Sequence, residues 1–360
     1  MVLSGPTISV DCEGVSASWL PFAAFYTRVT GTLDGMAAPN IRTIRFSEPD
    51  ALASALRGGS IAITPVTAGP FEAKLTEFVL GDLVLQISCG TPAMMLGEVA
   101  ADTVWIQLPL SGHQDLLLNG RQVAPGDFAA IAPGAGLDAV ALAESRWALV
   151  VLSAETIAGL LPPPRRAVLL RPGIPRMLRA SPRAWEAAMS LMEMATESAV
   201  RDPGIFEVEE ARLGLRASVL EVLVVLLAGP WEDRPTRVLR TSRTRYQIIR
   251  AVEEHLRAAP WQASCPSEIC AALGLSRWRV DAAFRASSAI SLQRYVRLRC
   301  LAMAGAALRS GRFRHASLAE IAAAFGFRDE GHFAREYREM FGEPPSITLS
   351  HAGREAADAG

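Results

Sequence analysis

The chain has 360 residues, half of them hydrophobic, with 36 basic and 37 acidic residues and a formal net charge of −1. That length and composition fit two or three globular domains with ample cores, and they exclude a disordered, fibrous or disulfide-stapled chain. The charge is unevenly spread: residues 1–233 hold 16 basic and 25 acidic residues, 234–360 hold 20 and 12, so only the second part suits a polyanion.

The N-terminal stretch MVLSGPTISVDCEG has neither a basic leader nor an apolar core, which leads us to expect a cytoplasmic protein. No membrane contact is expected, since the most apolar run, Val219 to Ala228, contains Glu221 and is half of the ~20 residues a bilayer requires. Ser47 to Arg57 reads as a short helix capped by Ser47 with Pro49 in its first turn. Short runs rich in β-formers follow: IAITPV, FEAKLTEFVL, LVLQIS, VWIQLPL, DLLLNGRQV, FAAIAP, LDAVAL and WALVVL. Asn119-Gly120 marks a tight hairpin and Pro125-Gly126-Asp127 a second turn. Evenly spaced short strands predict a sandwich or small barrel. Trp105, Phe128 and Trp147 lie on these strands and either fill the core or line a small-molecule cavity.

Metal chemistry in such a fold needs several converging histidines and a carboxylate, and this region offers His113 alone. Neither a metal nor another cofactor is expected, and no catalytic motif is present. The five cysteines, Cys12, Cys89, Cys265, Cys270 and Cys300, have no zinc-ligand spacing and read as small buried residues. Pro162-Pro163-Pro164 reads as a rigid break, after which helices are expected at about Arg183 to Val200 and Ile205 to Leu227. On the second, Leu213, Ala217, Leu220, Val224 and Leu227 alternate steps of four and three, a seam that fits either the protomer's own core or a second copy of the chain. Residues 229–244 are polar and proline-bearing and read as a linker, and 351–360 as a disordered tail.

The remaining segment carries two similar units. EICAALGLS, starting at Glu268, and EIAAAFGFR, starting at Glu320, align over nine residues, and each runs through a glycine turn into a basic helix. In the second, Leu318, Ile321, Ala322 and Phe325 stripe a short helix, Gly326 stops it, and Asp329 caps the next. Phe333, Tyr337 and Phe341 face inward there and Gly342 ends the helix before Pro344-Pro345. Two short helices with a tight turn and a basic outer face predict a helix-turn-helix entering the DNA major groove. Ser291 to Leu308 reads as one linking helix, about 27 Å long at 1.5 Å per residue, suited to successive major-groove segments.

The order IAAAFGF, an acidic residue, HF, a basic residue, an aromatic and MFGEPPS resembles the AraC/XylS family of transcription regulators, and the likeness extends back to about Arg250. Departures fall at Ala289 and Leu292, where the family has glycine and proline, and at Cys300-Leu301, where it has Arg-Leu. The resemblance implies a C-terminal all-α domain (245–350) with two helix-turn-helix units. It also implies an N-terminal sensing or dimerisation domain (1–228), with a cupin-like β jelly roll at about 60–153 and accessory helices at about 183–228. It places base reading at Trp278, Asp281 and Ala282, then at Glu330, Gly331, His332 and Arg335. Arg277, Arg279, Arg285, Arg328 and Arg338 are expected on phosphates. The expected function is sequence-specific regulation of transcription, taken as activation, with DNA contact confined to Arg243 to Ser346. The expected partners are double-stranded DNA, a second copy of the chain, a small-molecule effector and, for an activator, RNA polymerase. The competing reading is a cupin-type metal-dependent enzyme whose C-terminal domain anchors it to nucleic acid.

Overall fold

The structure is a computed structural model that describes residues 40–67, 69–171, 175–228, 236–258, 266–288, 290–311, 313 and 316–358. The N-terminal stretch, Cys12, Cys265 and the first part of the expected linker lie outside them. From the N-terminal side run β1 (Ile41–Phe46), α1 (Pro49–Ala55), β2 (Gly59–Pro65), β3 (Ala73–Leu80), β4 (Leu83–Gly90), β5 (Ala93–Val99) and β6 (Thr103–Ser111). Then come β7 (Leu116–Leu118), β8 (Arg121–Gln122), β9 (Asp127–Ile131), β10 (Gly136–Ala141) and β11 (Ser145–Ser153). Helices α2 (Ala154–Leu160) and α3 (Pro163–Leu169) precede β12 (Pro175–Arg179), and α4 (Pro182–Arg201) and α5 (Glu209–Ala228) complete this half.

These strands form two antiparallel sheets, ordered β1-β3-β4-β11-β6-β9-β12 and β2-β5-β10-β7-β8. Between them pack Leu75, Trp105, Trp147 and Leu149 of the first sheet and Ile63, Met95, Leu137 and Ala139 of the second. This is the expected β sandwich. The other face of the larger sheet, with Phe78, Leu85, Ile106, Phe128 and Val150, lies on α4 and α5 through Ala188, Met192, Val219 and Leu223. Trp105, Phe128 and Trp147 are all buried in these two cores. Asn119 (φ 49°) and Gly120 (φ 71°) make the two-residue hairpin turn between β7 and β8. His113 opens a single 3₁₀ turn, its ring edge-on to Trp185 at 6.2 Å.

Several expectations need correction. Glu48, not Ser47, occupies the N-cap of α1. Pro163 and Pro164 do not break the chain but open α3, where the first-turn N–H groups need no partner. The expected seam on α5 is not one surface: Leu227 is buried in the protomer's own core and Leu220 is half-buried, while Leu213, Ala217 and Val224 face outward.

The C-terminal half is helical: α6 (Thr236–Ala258), α7 (Pro266–Ala272), α8 (Arg277–Ser288), α9 (Leu292–Arg309), α10 (Leu318–Ala324), α11 (Glu330–Phe341) and α12 (Pro345–Asp358). Helix α6 begins inside the stretch expected to be a linker, because no glycine or proline interrupts the chain from Thr236 to Ala258. The last residues, expected to be disordered, continue α12 to Asp358, with Pro345 at its start. Among the described residues no helix is long and apolar enough to cross a membrane. The outer face of the smaller sheet joins the helical core: Met94, Leu96 and Val140, with Val66 just beyond β2, cluster with Ile249, Val252, Phe284 and Tyr295.

Candidate nucleic-acid interface

Each unit is a short helix, a glycine turn and a longer helix. In the first, Ile269 and Cys270 of α7 face Val280, Ala283 and Phe284 of α8 across the turn at Gly274 (φ 63°). Phe284 meets the ring of Tyr295 on α9 at 4.8 Å. That leaves Arg277, Trp278, Arg279 and Arg285 on the outer face, all exposed. Trp278 is 79 % exposed. A tryptophan that bare at the start of a helix gives little to the fold.

Asp281 departs from expectation. Its Oδ1 accepts the Leu292 N–H at 3.0 Å, and its Oδ2 lies 3.9 Å from Arg277 Nε. The carboxylate therefore ties α8 to the first turn of α9. Ala282 is half-buried beside it.

The second unit is built as its sequence dictates. Ser317 and Glu320 form a capping box at the start of α10, Gly326 (φ 78°) makes the turn, and Asp329 Oδ1 accepts the His332 N–H at 2.6 Å to cap α11. Phe333, Tyr337 and Met340 are buried. The Phe341 ring lies over Gly305 of α9, where an added Cβ would come within 2.7 Å of it, so only glycine permits this approach. Arg328, Glu330, Gly331, Arg335 and Arg338 are exposed. His332 is again different: Arg297 Nη2 of α9 meets its Nδ1, and Glu336 Oε1 lies 3.2 Å from its Nε2. It turns towards α9 rather than towards the outer face where it was expected.

What ties α6 to the linking helix α9 is a buried ionic knot that sequence reading missed. Arg299 (1 % exposed) donates to Glu253 (3 % exposed) at 2.6 and 3.1 Å, and the Tyr295 hydroxyl donates to the same carboxylate at 2.6 Å. Burial pushes the Glu253 carboxyl up, but the Arg299 and Arg257 charges outweigh it and hold the group below its usual range. Removing one partner of such a pair costs about 3–5 kcal/mol. The available signal was position: Arg299 stands four residues after Tyr295, on the buried face of α9. Nearby, burial pushes the Cys300 thiol up to about 11, which leaves it an inert core residue.

The sandwich touches both units. The Tyr246 ring of α6 lies on the Gly136 backbone, where a Cβ would be 2.1 Å away, and its hydroxyl donates to Gly97 O at 2.7 Å. Arg250 pairs with Glu98, Arg294 donates to Val66 O at 3.1 Å, and Gly69 N–H donates to Glu339 O of α11 at 2.7 Å. Asp138 of β10 is buried beside Ser287 of α8 and Arg245 of α6. Burial pushes its carboxyl up to about 6, against the Ser287 hydroxyl, the Arg245 charge and the Gly120 and Asn119 backbone. A cleft of about 600 Å³ opens between α9 and α11, lined by Arg294, Arg297, Phe325, Phe327 and Met340 and reached by Thr67 of the sandwich.

Two helix-turn-helix units are thus joined by one helix, and each carries a basic outer face. A family model described as a helix-turn-helix domain matches residues 269–351. A probable AraC family transcriptional regulator from Rhodopseudomonas palustris CGA009 is 34 % identical over 29 % of this chain and 97 % of its own, with a TM-score of 0.26. The chain belongs to the AraC family of DNA-binding transcription regulators. It is also similar to the AraC-like transcriptional activator CuxR, 17 % identical over 74 % of this chain and 96 % of that one, with a TM-score of 0.38. ToxT from Vibrio cholerae O395 is 10 % identical over 86 % of this chain and 97 % of its own, with a TM-score of 0.26. No curated protein matches the chain.

Proposed function

We propose that the protein activates transcription by reading one composite DNA site with α8 and α11 together, as a homodimer that answers to a small molecule. The observation that carries the reading is the pair of outward basic faces: Arg277, Trp278, Arg279 and Arg285 on one unit, Arg328, Arg335 and Arg338 on the other. At 100° per residue Arg335 stands about 200° from the buried Phe333, and Gly331 about 160°, so the two share the centre of the outer face. Arg335 can fork onto a guanine while Gly331 lets the helix approach closely. Arg277, Arg279, Arg285, Arg328 and Arg338 supply phosphate contacts, which set register without reading sequence. Glu330, exposed in the first turn of α11, is the remaining base-reading candidate there, as an acceptor for a cytosine amino group. On α8 the reading narrows to Trp278, with Ala282 left as an apolar neighbour.

Dimerisation is assigned to the outward stripe Leu213, Ala217 and Val224 on α5, and RNA polymerase is the further partner that activation requires. For the effector, the sandwich interior offers Trp105 Nε1 and Gln107 Oε1, buried without a partner among the described residues, beside a Glu77 carboxylate that Arg42, Arg57 and Gln86 already hold. That chemistry suits a small polar molecule. Binding-site selection tests the core of this reading. Arg335→Ala is expected to relax preference at one or two base positions, at about 1–3 kcal/mol of lost discrimination. Arg338→Ala is expected to weaken binding about equally on all sequences. Retention of full preference by Arg335→Ala, with only overall affinity lost, would make Arg335 a backbone contact and refute the assignment.

A further inference from the structure

A chain with two readers recognises a composite site only if their mutual angle is held, because one added base pair turns the duplex by about 35° and moves the second half-site round the helix. Phe341 packs on Gly305 of α9, and an apolar contact, being non-directional, sets distance more than rotation. Arg297 of α9 is placed to stop that rotation. Its Nε meets Glu336 Oε2 at 2.5 Å, its Nη2 meets His332 Nδ1, and its guanidinium carbon lies 4.0 Å from the centre of the Phe327 ring. Glu336 and His332 close the triangle at 3.2 Å.

All three partners belong to the second unit, Phe327 in its turn and the other two on its reader helix. A planar guanidinium suits this place: one face stacks on the aromatic ring while the edges donate, so both position and twist are specified. A lysine would supply the charge without the plane. His332 and Glu336 stand about 100° and 60° to one side of Phe333, well away from the outer face centred on Arg335. Arg297 thus acts on DNA through α11 and not by touching it.

We propose that Arg297 is a positioning residue that fixes the angle between α8 and α11 and so sets the half-site spacing the protein accepts; this rests on the two-reader reading above. The test uses the full chain. A preferred composite site is first obtained by selection, and affinity is then measured on that site and on versions with one base pair inserted or deleted between its halves. The unaltered protein is expected to lose about tenfold or more on a misspaced site, as for a mismatch in a specific contact. Arg297→Ala is expected to shrink that spacing penalty to about threefold or less. Glu336→Gln, which keeps the shape and removes the charge, should act in the same direction, and it carries the test if Arg297→Ala fails to fold. The exchange Arg297→Glu with Glu336→Arg should recover part of the lost spacing discrimination.

An unchanged spacing penalty in both single variants overturns the proposal. Uniform loss of affinity would then make Arg297 a phosphate contact, and a lowered melting temperature alone would make it a merely structural residue. Absence of any spacing penalty in the unaltered protein refutes the two-reader reading itself, and the role of Arg297 with it.

Discussion

Asp138 lets the seam between sandwich and readers be weighed by titration. Its carboxyl moves from 3.8 to about 6 on folding because burial between β10, α6 and α8 disfavours the charge more than Ser287, Arg245 and nearby amides favour it. A carboxyl raised in the folded state gives stability that is fully present below the unfolded value and is lost as pH climbs through the folded one. A shift of about two units at 1.36 kcal/mol each makes the total about 3 kcal/mol, of which roughly half is lost between pH 5 and pH 8. Asp138→Asn removes the titration while keeping the shape. Chemical denaturation of both proteins across that range should show the variant gaining on the parent by about 1.4 kcal/mol as pH rises. The sign matters more than the size. A difference that stays flat, or that falls as pH rises, would mean that Asp138 is solvated or firmly ion-paired in solution, and the buried-interface account would fail.

Leu213→Asp with Val224→Asp should convert the dimer to monomer in sedimentation with little change in melting temperature, because both side chains already face outward; an unaltered mass would remove α5 from the dimer. Trp278→Ala should leave stability unchanged but cost about tenfold on the selected site relative to random DNA, as losing a base contact does. Equal losses on both sequences in a binding titration would place Trp278 on the backbone of the duplex.

How much was legible follows from where each signal lives. The strands rich in valine, isoleucine and tryptophan declared themselves, as did the Asn119-Gly120 turn. β5, reading AMMLGEV, did not: methionine, alanine and glycine carry no β preference, and the strand exists because β2 and β10 pair with it on either side. Both readers were visible because caps, glycine turns and inward aromatics are local. The partners of Asp281 and His332 were hidden for the opposite reason. Helical spacing puts these two residues on or near an outward face, but Leu292 and Arg297, which claim them, come from elsewhere in the chain. Arg299 could be counted as a cation in sequence, whereas its burial against Glu253, 46 residues away, could not.

The joint core of sandwich and readers bears on how such a protein can be cut and recombined. A fragment from Arg243 to Ser346 would start within α6 and stop at the head of α12. It would also leave Ile249, Val252 and Phe284 without Val66, Met94, Leu96 and Val140. A reader half taken alone is therefore a sticky object, and a hybrid carrying another regulator's sensor must match that apolar floor before it can transmit anything.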